Sequence, residues 1–129
     1  MGMPSPDLRL DELKKALARL KEALALKKDD IVRDSTIQRF EFTVELSWKV
    51  LQRALKGAGV PDPQSPKALF REGARLGWVA DPEAWIQFVD DRNLSSHTYK
   101  EDLAEKVYAS ASRLPPHVEA LIRAIEKQN

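Results

Sequence analysis

Cysteine is absent from this chain of 129 residues, which excludes a disulfide scaffold, a thiolate zinc site, an iron–sulfur cluster and a cysteine nucleophile together. Only two histidines occur, His97 and His117, so a multi-histidine metal site is poorly supplied and no metal is expected. No run of about 18 apolar residues exists. Charge interrupts the stretch from Asp7 to Asp30 every few positions, so neither a membrane span nor a signal peptide fits, and a cytoplasmic protein is expected. An excess of one charge sign is lacking too: 21 Lys and Arg face 20 Asp and Glu, a formal +1. Any contact with nucleic acid must therefore be local. Glycine-rich phosphate loops, a GxSxG elbow, HExxH and EF-hand loops are also missing, and no cofactor is implied.

What is present favours helices. Alanine and leucine supply 31 residues, β-branched residues are scattered, and no stretch alternates with period two. Leu10, Leu13, Leu17, Leu20 and Leu24 form the narrow stripe of a helix packed at shallow angles, predicting a first helix from Asp7 to Lys28. Ile37, Val44, Trp48, Leu51 and Leu55 mark a second, from about Ser35 to Ala58, with Asp34 and Ser35 as capping candidates and Gly57 or Gly59 at its end.

Four of the five glycines and three prolines crowd between Gly57 and Gly77, the least regular part of the chain. It still predicts a short helix, started by Ser65-Pro66 and stopped by Gly77. Asp81-Pro82-Glu83 repeats the start signal for a helix running through Trp85, Phe88 and Val89 to Arg92 and beyond. A last helix begins near Lys100, and its stripe from Leu103 to Ile125 keeps phase across Pro115-Pro116, as one kinked helix would. The expectation is an all-α protein, a four-helix bundle with one short extra helix. It forms a single domain over 1–129, in which 1–6 are a disordered N-terminal tail.

Few residues offer chemistry. Glu41 occupies the vacant step of the second stripe, between Ile37 and Val44. Either it sits at a solvated end of that seam, or it is an interior acid that holds a cation from another helix. Arg92 supplies such a cation, because Trp85, Val89, Arg92 and Ser96 share a face. The pair could be purely structural or part of a polar site.

The run from Arg92 to Tyr99 packs arginine, asparagine, histidine, tyrosine and two serines together. In a continuous helix Arg92 and His97 would stand about 140° apart. Serines and asparagine weaken a helix, so an end near Ser96 lets His97 and Tyr99 fold back. His117, after the proline pair, is expected at the surface; Trp48 and Trp85 are expected in the core, and Trp78 in either.

Arg92, four residues, His97, one residue and Tyr99 resemble the R-x4-H-x-Y motif of HEPN domains (higher eukaryotes and prokaryotes nucleotide-binding). Together with Gln38-Arg39-Phe40-Glu41 and Glu45-Leu46-Ser47-Trp48-Lys49, the whole chain resembles the small prokaryotic branch called nucleotidyltransferase substrate-binding proteins. The resemblance implies an up-and-down HEPN bundle that forms a homodimer, with each motif near the twofold axis. The implied partner is a minimal nucleotidyltransferase from a neighbouring gene.

Two activities follow from the resemblance. In one, the chain is a binding and regulatory subunit, the toxin half of a toxin–antitoxin pair, that presents a nucleotide or its own Tyr99 for nucleotidylation. In the other, it is a metal-independent RNase in which Arg92 and His97 are catalytic; beside what the resemblance implies, the chemistry gives Asn93 or Ser96 the task of orienting the histidine or a phosphate, and the stripe gives Glu41 that of supporting Arg92. The chemistry of the second is self-consistent: imidazole is the side chain that exchanges protons near neutral pH, and a guanidinium grips two phosphate oxygens as a fork. No departure from the motif is visible.

Overall fold

The computed structural model describes residues 7–128, so the tail expected over 1–6 lies outside the described residues. Five α-helices follow one another: α1 Asp7–Leu24, α2 Asp30–Gly57, α3 Pro66–Arg75, α4 Pro82–Asn93 and α5 Glu101–Glu126. A 3-10 turn, Leu94–His97, joins α4 to α5. The four longer helices make the expected up-and-down bundle. In it α2 packs against each of the other helices, while α3 bridges α2 and α4.

Helix boundaries follow local chemistry, with two departures from expectation. α1 ends at Leu24, short of Lys28, because the chain must turn before Asp29 caps α2. Asp29 Oδ1 accepts from the N–H of Val32 at 2.7 Å, so α2 begins well before Ser35. Ser65 and Asp81 cap α3 and α4 in the same way, each followed by proline in the first turn.

Gly59 (φ 80°) and Gly77 (φ 82°) end α2 and α3 in the left-handed region that other residues avoid. Behind each glycine the next N–H reaches back to a carbonyl of the last turn, Val60 to Leu55 at 3.0 Å and Trp78 to Gly73 at 2.8 Å. α5 runs unbroken through Pro115 and Pro116.

The leucine stripe of α1 is buried from Leu10 to Leu20, and Val107, Leu114, Val118, Leu121 and Ile125 of α5 meet it in one core. At the α3–α4 side Phe70 stacks on Trp85 with centroids 4.5 Å apart, and Phe88 stands edge-on to Trp85 at 5.5 Å. His117 joins this cluster, 5.2 Å from Phe88, so it is half-buried among aromatic rings instead of lying on the surface. Trp78 packs partly buried against the same core.

The inward face of α2 differs most from the sequence expectation. Ile37, Val44, Leu51 and Leu55 are buried as expected, but so are Thr36, Phe40, Thr43 and Ser47. The hydroxyls of Thr36, Thr43 and Ser47 each donate to the carbonyl four residues back, at 2.7 Å, which satisfies them without water. That rotates the buried face away from Glu41 and Trp48, which end half-buried on its flank.

A second charged feature, unseen in the sequence, lies at the α1–α2 end. Arg33 is only 4 % exposed. It donates to Glu101 at 2.8 and 3.2 Å, to Glu105 at 3.1 Å and to Asp34 at 3.2 Å. Its hydrogen bonds to Glu101 and Glu105 raise the Arg33 pKa further above its ordinary value, so it stays charged. Lys28 adds an ion pair to Glu105 and lies over the Tyr108 ring at 4.7 Å. α5 has no side-chain N-cap, and this clamp holds its first turns instead.

Candidate functional site

The end of α4 is where the sequence placed its chemistry. Ser95 Oγ donates to the Arg92 carbonyl at 2.6 Å and Thr98 Oγ1 donates to the Ser95 carbonyl at 3.0 Å. Hydroxyls that compete for main-chain carbonyls tighten the last turn from α to 3-10 geometry. The α-helix therefore stops at Asn93, earlier than Ser96, and the 3-10 turn carries His97 to its end.

Arg92 leaves this segment toward α2. Its Nη2 donates to Glu45 Oε1, and its guanidinium carbon lies 5.3 Å from the Trp48 ring centroid, within cation–π range. The ion pair expected of Glu41 is thus made by Glu45, one helical turn further along. Glu41 itself is half-buried. Rotation of α2 takes Glu41 off the buried face, but Glu41 and Glu45 stand only about 40° apart around the helix and about 6 Å apart along it, so the choice between them is set by how far along α2 Arg92 arrives. Both partners are about one quarter exposed, 26 % for Arg92 and 28 % for Glu45. Arg92 Nε is buried without an acceptor among the described residues. Nη1 makes a loose 3.5 Å approach to Asn93 Oδ1, which leaves it free to turn to a better acceptor.

His97 and Tyr99 form a second pair, ring centroids 6.2 Å apart and nearly perpendicular. Tyr99 is 77 % exposed, and His97, Asn93 and Ser96 are exposed as well. No hydrogen bond or ring contact among the described residues joins the Arg92–Glu45–Trp48 group to the His97–Tyr99 group. Asp91, beside Arg92, is only 1 % exposed and accepts from Gln87 Nε2 at 3.0 Å.

Sequence reasoning missed Glu45 and Asp91. Glu45 was visible as the acid one turn from Trp48, but seeing its role requires knowing how far along α2 Arg92 arrives. Asp91 carries no such signal, because two consecutive aspartates near a helix end read as solvated. Among the described residues no group of three or more His, Asp or Glu is placed to hold a metal ion, and no helix is long and apolar enough to cross a membrane.

Comparison with known proteins gives consistent matches. Residues 8–127 match the family described as nucleotidyltransferase substrate binding protein like. A Haemophilus influenzae protein named probable ribonuclease HepT is 32 % identical over 107 residues, 77 % of this chain and 73 % of that one. A solved Haemophilus influenzae structure, described as the fold of a substrate binding domain of a nucleotidyltransferase, superposes with a TM-score of 0.79 at 26 % identity. That match covers 91 % of this chain and 98 % of the other. A crystal structure of a Thermus thermophilus protein matches at TM-score 0.73 and 34 % identity, over 90 % of this chain and 97 % of that one.

Proposed function

Since this chain belongs to the nucleotidyltransferase substrate-binding-protein-like family, we propose that it is the binding and regulatory subunit of a separately encoded minimal nucleotidyltransferase. In this reading it is the toxin half of a cytoplasmic two-component module, and its Tyr99 is the acceptor of the transferred nucleotide. The observation that carries the reading is Tyr99 itself, 77 % exposed directly before α5, its ring beside His97. Exposure alone is ordinary for a single aromatic ring. Here it presents a phenolic oxygen to a second protein. In the transfer, that oxygen forms a bond to the α-phosphorus of a nucleoside triphosphate, the α–β anhydride bond breaks, and pyrophosphate leaves. His97 is the neighbouring group able to take the phenol proton.

A second reading is favoured by Arg92 and His97 reaching the surface on one segment and by the name of the Haemophilus relative. Here the chain is a metal-independent endoribonuclease. A 2′-hydroxyl attacks the adjacent phosphorus, the P–O5′ bond breaks, and a 2′,3′-cyclic phosphate and a 5′-hydroxyl result. One base takes the 2′ proton and one acid delivers a proton to O5′, while Arg92 grips the phosphate oxygens. One protomer supplies a single motif histidine, and its Arg92 points to α2 instead of to His97. A homodimer across a twofold axis supplies two of each, and exposed Phe42, Ile31 and Leu26 are apolar surface that a second protein could cover. The two readings coexist in one molecule, since an RNase modified on tyrosine is also its partner's substrate.

The test uses the purified chain with single-stranded RNA in EDTA. An RNase cleaves under these conditions, and His97→Ala lowers the rate by about 10²–10⁴-fold. With the nucleotidyltransferase and ATP, intact-mass spectrometry then finds added nucleotide on wild type and none on Tyr99→Phe. Full-rate cleavage by His97→Ala removes the RNase reading. Unchanged mass of the wild type removes Tyr99 as acceptor.

A further inference from the structure

Near-neutral total charge hides one local imbalance. From Leu46 to Pro61 the chain contains Lys49, Arg53 and Lys56 and no acid at all. Several cations elsewhere are matched, Lys14 with Glu126, Lys21 with Glu119, Arg39 with Glu22, Lys67 with Asp90 and Arg75 with Glu72, and those that are not, such as Lys15, Arg19 and Lys106, have acids close by in sequence. Lys49, Arg53 and Lys56 are exposed and take no ion pair among the described residues.

Their placement on α2 is regular. Glu45, Lys49, Arg53 and Lys56 fall within about 80° of arc on the helix, on the side away from Thr43, Ser47 and Val50. Measured along the axis from Glu45, the three cations stand about 6, 12 and 16 Å further on. The row therefore starts one turn past the side chain that binds Arg92 and leads away from it toward the end of α2. Glu45 is neutralised by Arg92, so the first unbalanced charge a polyanion meets beyond the motif is Lys49.

We propose that Lys49, Arg53 and Lys56 form a phosphate track that seats single-stranded RNA on α2 and delivers one of its phosphates to Arg92. The proposal rests on the ribonuclease reading above and adds to it the surface that holds the substrate outside the cleavage site. Charge complementarity selects the occupant: evenly spaced, unpaired cations on one exposed helix face match a chain that carries one negative charge per nucleotide. The track also answers the weak total charge, because attraction comes from this face alone and needs no net excess.

The experiment measures binding of a fluorescently labelled single-stranded RNA oligonucleotide by anisotropy across a range of KCl concentrations, in a His97→Ala background so that the RNA stays intact. Removing three cations as Lys49→Gln, Arg53→Gln and Lys56→Gln lowers the slope of log K against log salt by about 2, at about 0.7 per phosphate contact for single strands. Lys15→Gln, Arg19→Gln and Lys106→Gln make the same change in net charge on other helices and leave the slope as it was. An unchanged slope in the α2 variant, or an equal fall in the control, overturns the track. So does an α2 variant that keeps its RNA slope but no longer forms a complex with the nucleotidyltransferase, which makes the face a protein dock. If wild type cleaves RNA in EDTA and the slope stays put, only the track fails. If wild type neither binds nor cleaves RNA, the ribonuclease reading falls and the track with it.

Discussion

The shift of the interior acid from Glu41 to Glu45 has a measurable energetic consequence. The perturbation is a double-mutant cycle of Glu45→Gln and Arg92→Gln, repeated with Glu41→Gln in place of Glu45→Gln. Exposed ion pairs are worth about 0.2–1 kcal/mol, whereas breaking a buried one costs about 3–5 kcal/mol because a charge is stranded away from water. With 26 % and 28 % of their side chains exposed, Arg92 and Glu45 lie between these limits. Arg92 also keeps the Trp48 face when Glu45 is gone, which softens the loss. A coupling of about 1–2 kcal/mol is expected for Glu45 with Arg92, and Glu41 with Arg92 is expected to be additive to within about 0.5 kcal/mol.

Urea unfolding followed by circular dichroism at a fixed protomer concentration reads both cycles, since association makes stability depend on concentration. Raising the salt should shrink the Glu45 coupling, because the pair is partly solvated. Additivity of Glu45 with Arg92, or a larger coupling for Glu41, would refute the account of where α4 meets α2 in the bundle.

Two further outcomes follow from local geometry. A Cβ on Gly73 would lie 2.7 Å from Val79 Cγ2 and 3.2 Å from both methyl carbons of Leu51. Val79 is stiff at Cβ and Leu51 is fully buried, so Gly73→Ala should lose about 1–2 kcal/mol net of its helix-propensity gain; Gly57→Ala, with nothing within 4 Å, should gain about 0.5 kcal/mol and serves as the control. A stable Gly73→Ala would mean that α3 does not approach α2 this closely. The second outcome concerns pH. The Arg33 hydrogen bond holds the Glu101 carboxyl below the usual carboxylate range, and Lys28 first, then Arg33, does the same for Glu105. Depressed folded-state values contribute stability that is present above the unfolded value of about 4.3 and lost as pH falls through the lower folded one. Wild type should therefore lose stability on acidification below about pH 4–5, and Glu101→Gln should flatten that limb of a melting-temperature profile; an identical acid limb in both proteins would show that the clamp does not operate in solution.

Periodicity and punctuation were enough to define much of this protein. The leucine step of α1, the Ser65-Pro66 and Asp81-Pro82 starts and the stops at Gly59 and Gly77 are local signals, because a cap or a left-handed residue acts on its own turn of chain. The phase of α5 across two prolines was legible for the same reason. The motif Arg92, His97 and Tyr99 was legible as a pattern of residue types, and its family resemblance holds over residues 8–127.

Tertiary structure alone decided which way several polar and charged side chains face. Serine and threonine read as surface residues until packing shows their hydroxyls bonded back to the helix, and that choice at Thr43 and Ser47 took Glu41 off the buried face, while the height at which α4 crosses α2 gave Arg92 to Glu45. Arg33 lies before the helix expected from Ser35 and carries no signal of burial in the sequence; the start of α5, 68 residues away, brings Glu101 to it. His117 reads as surface until Phe88 is placed beside it. Each of these depends on a contact between segments distant in sequence. Periodicity registers how much of a helix is apolar, whereas burial of a polar group is set by whether a partner lies within about 3 Å once the helices have packed.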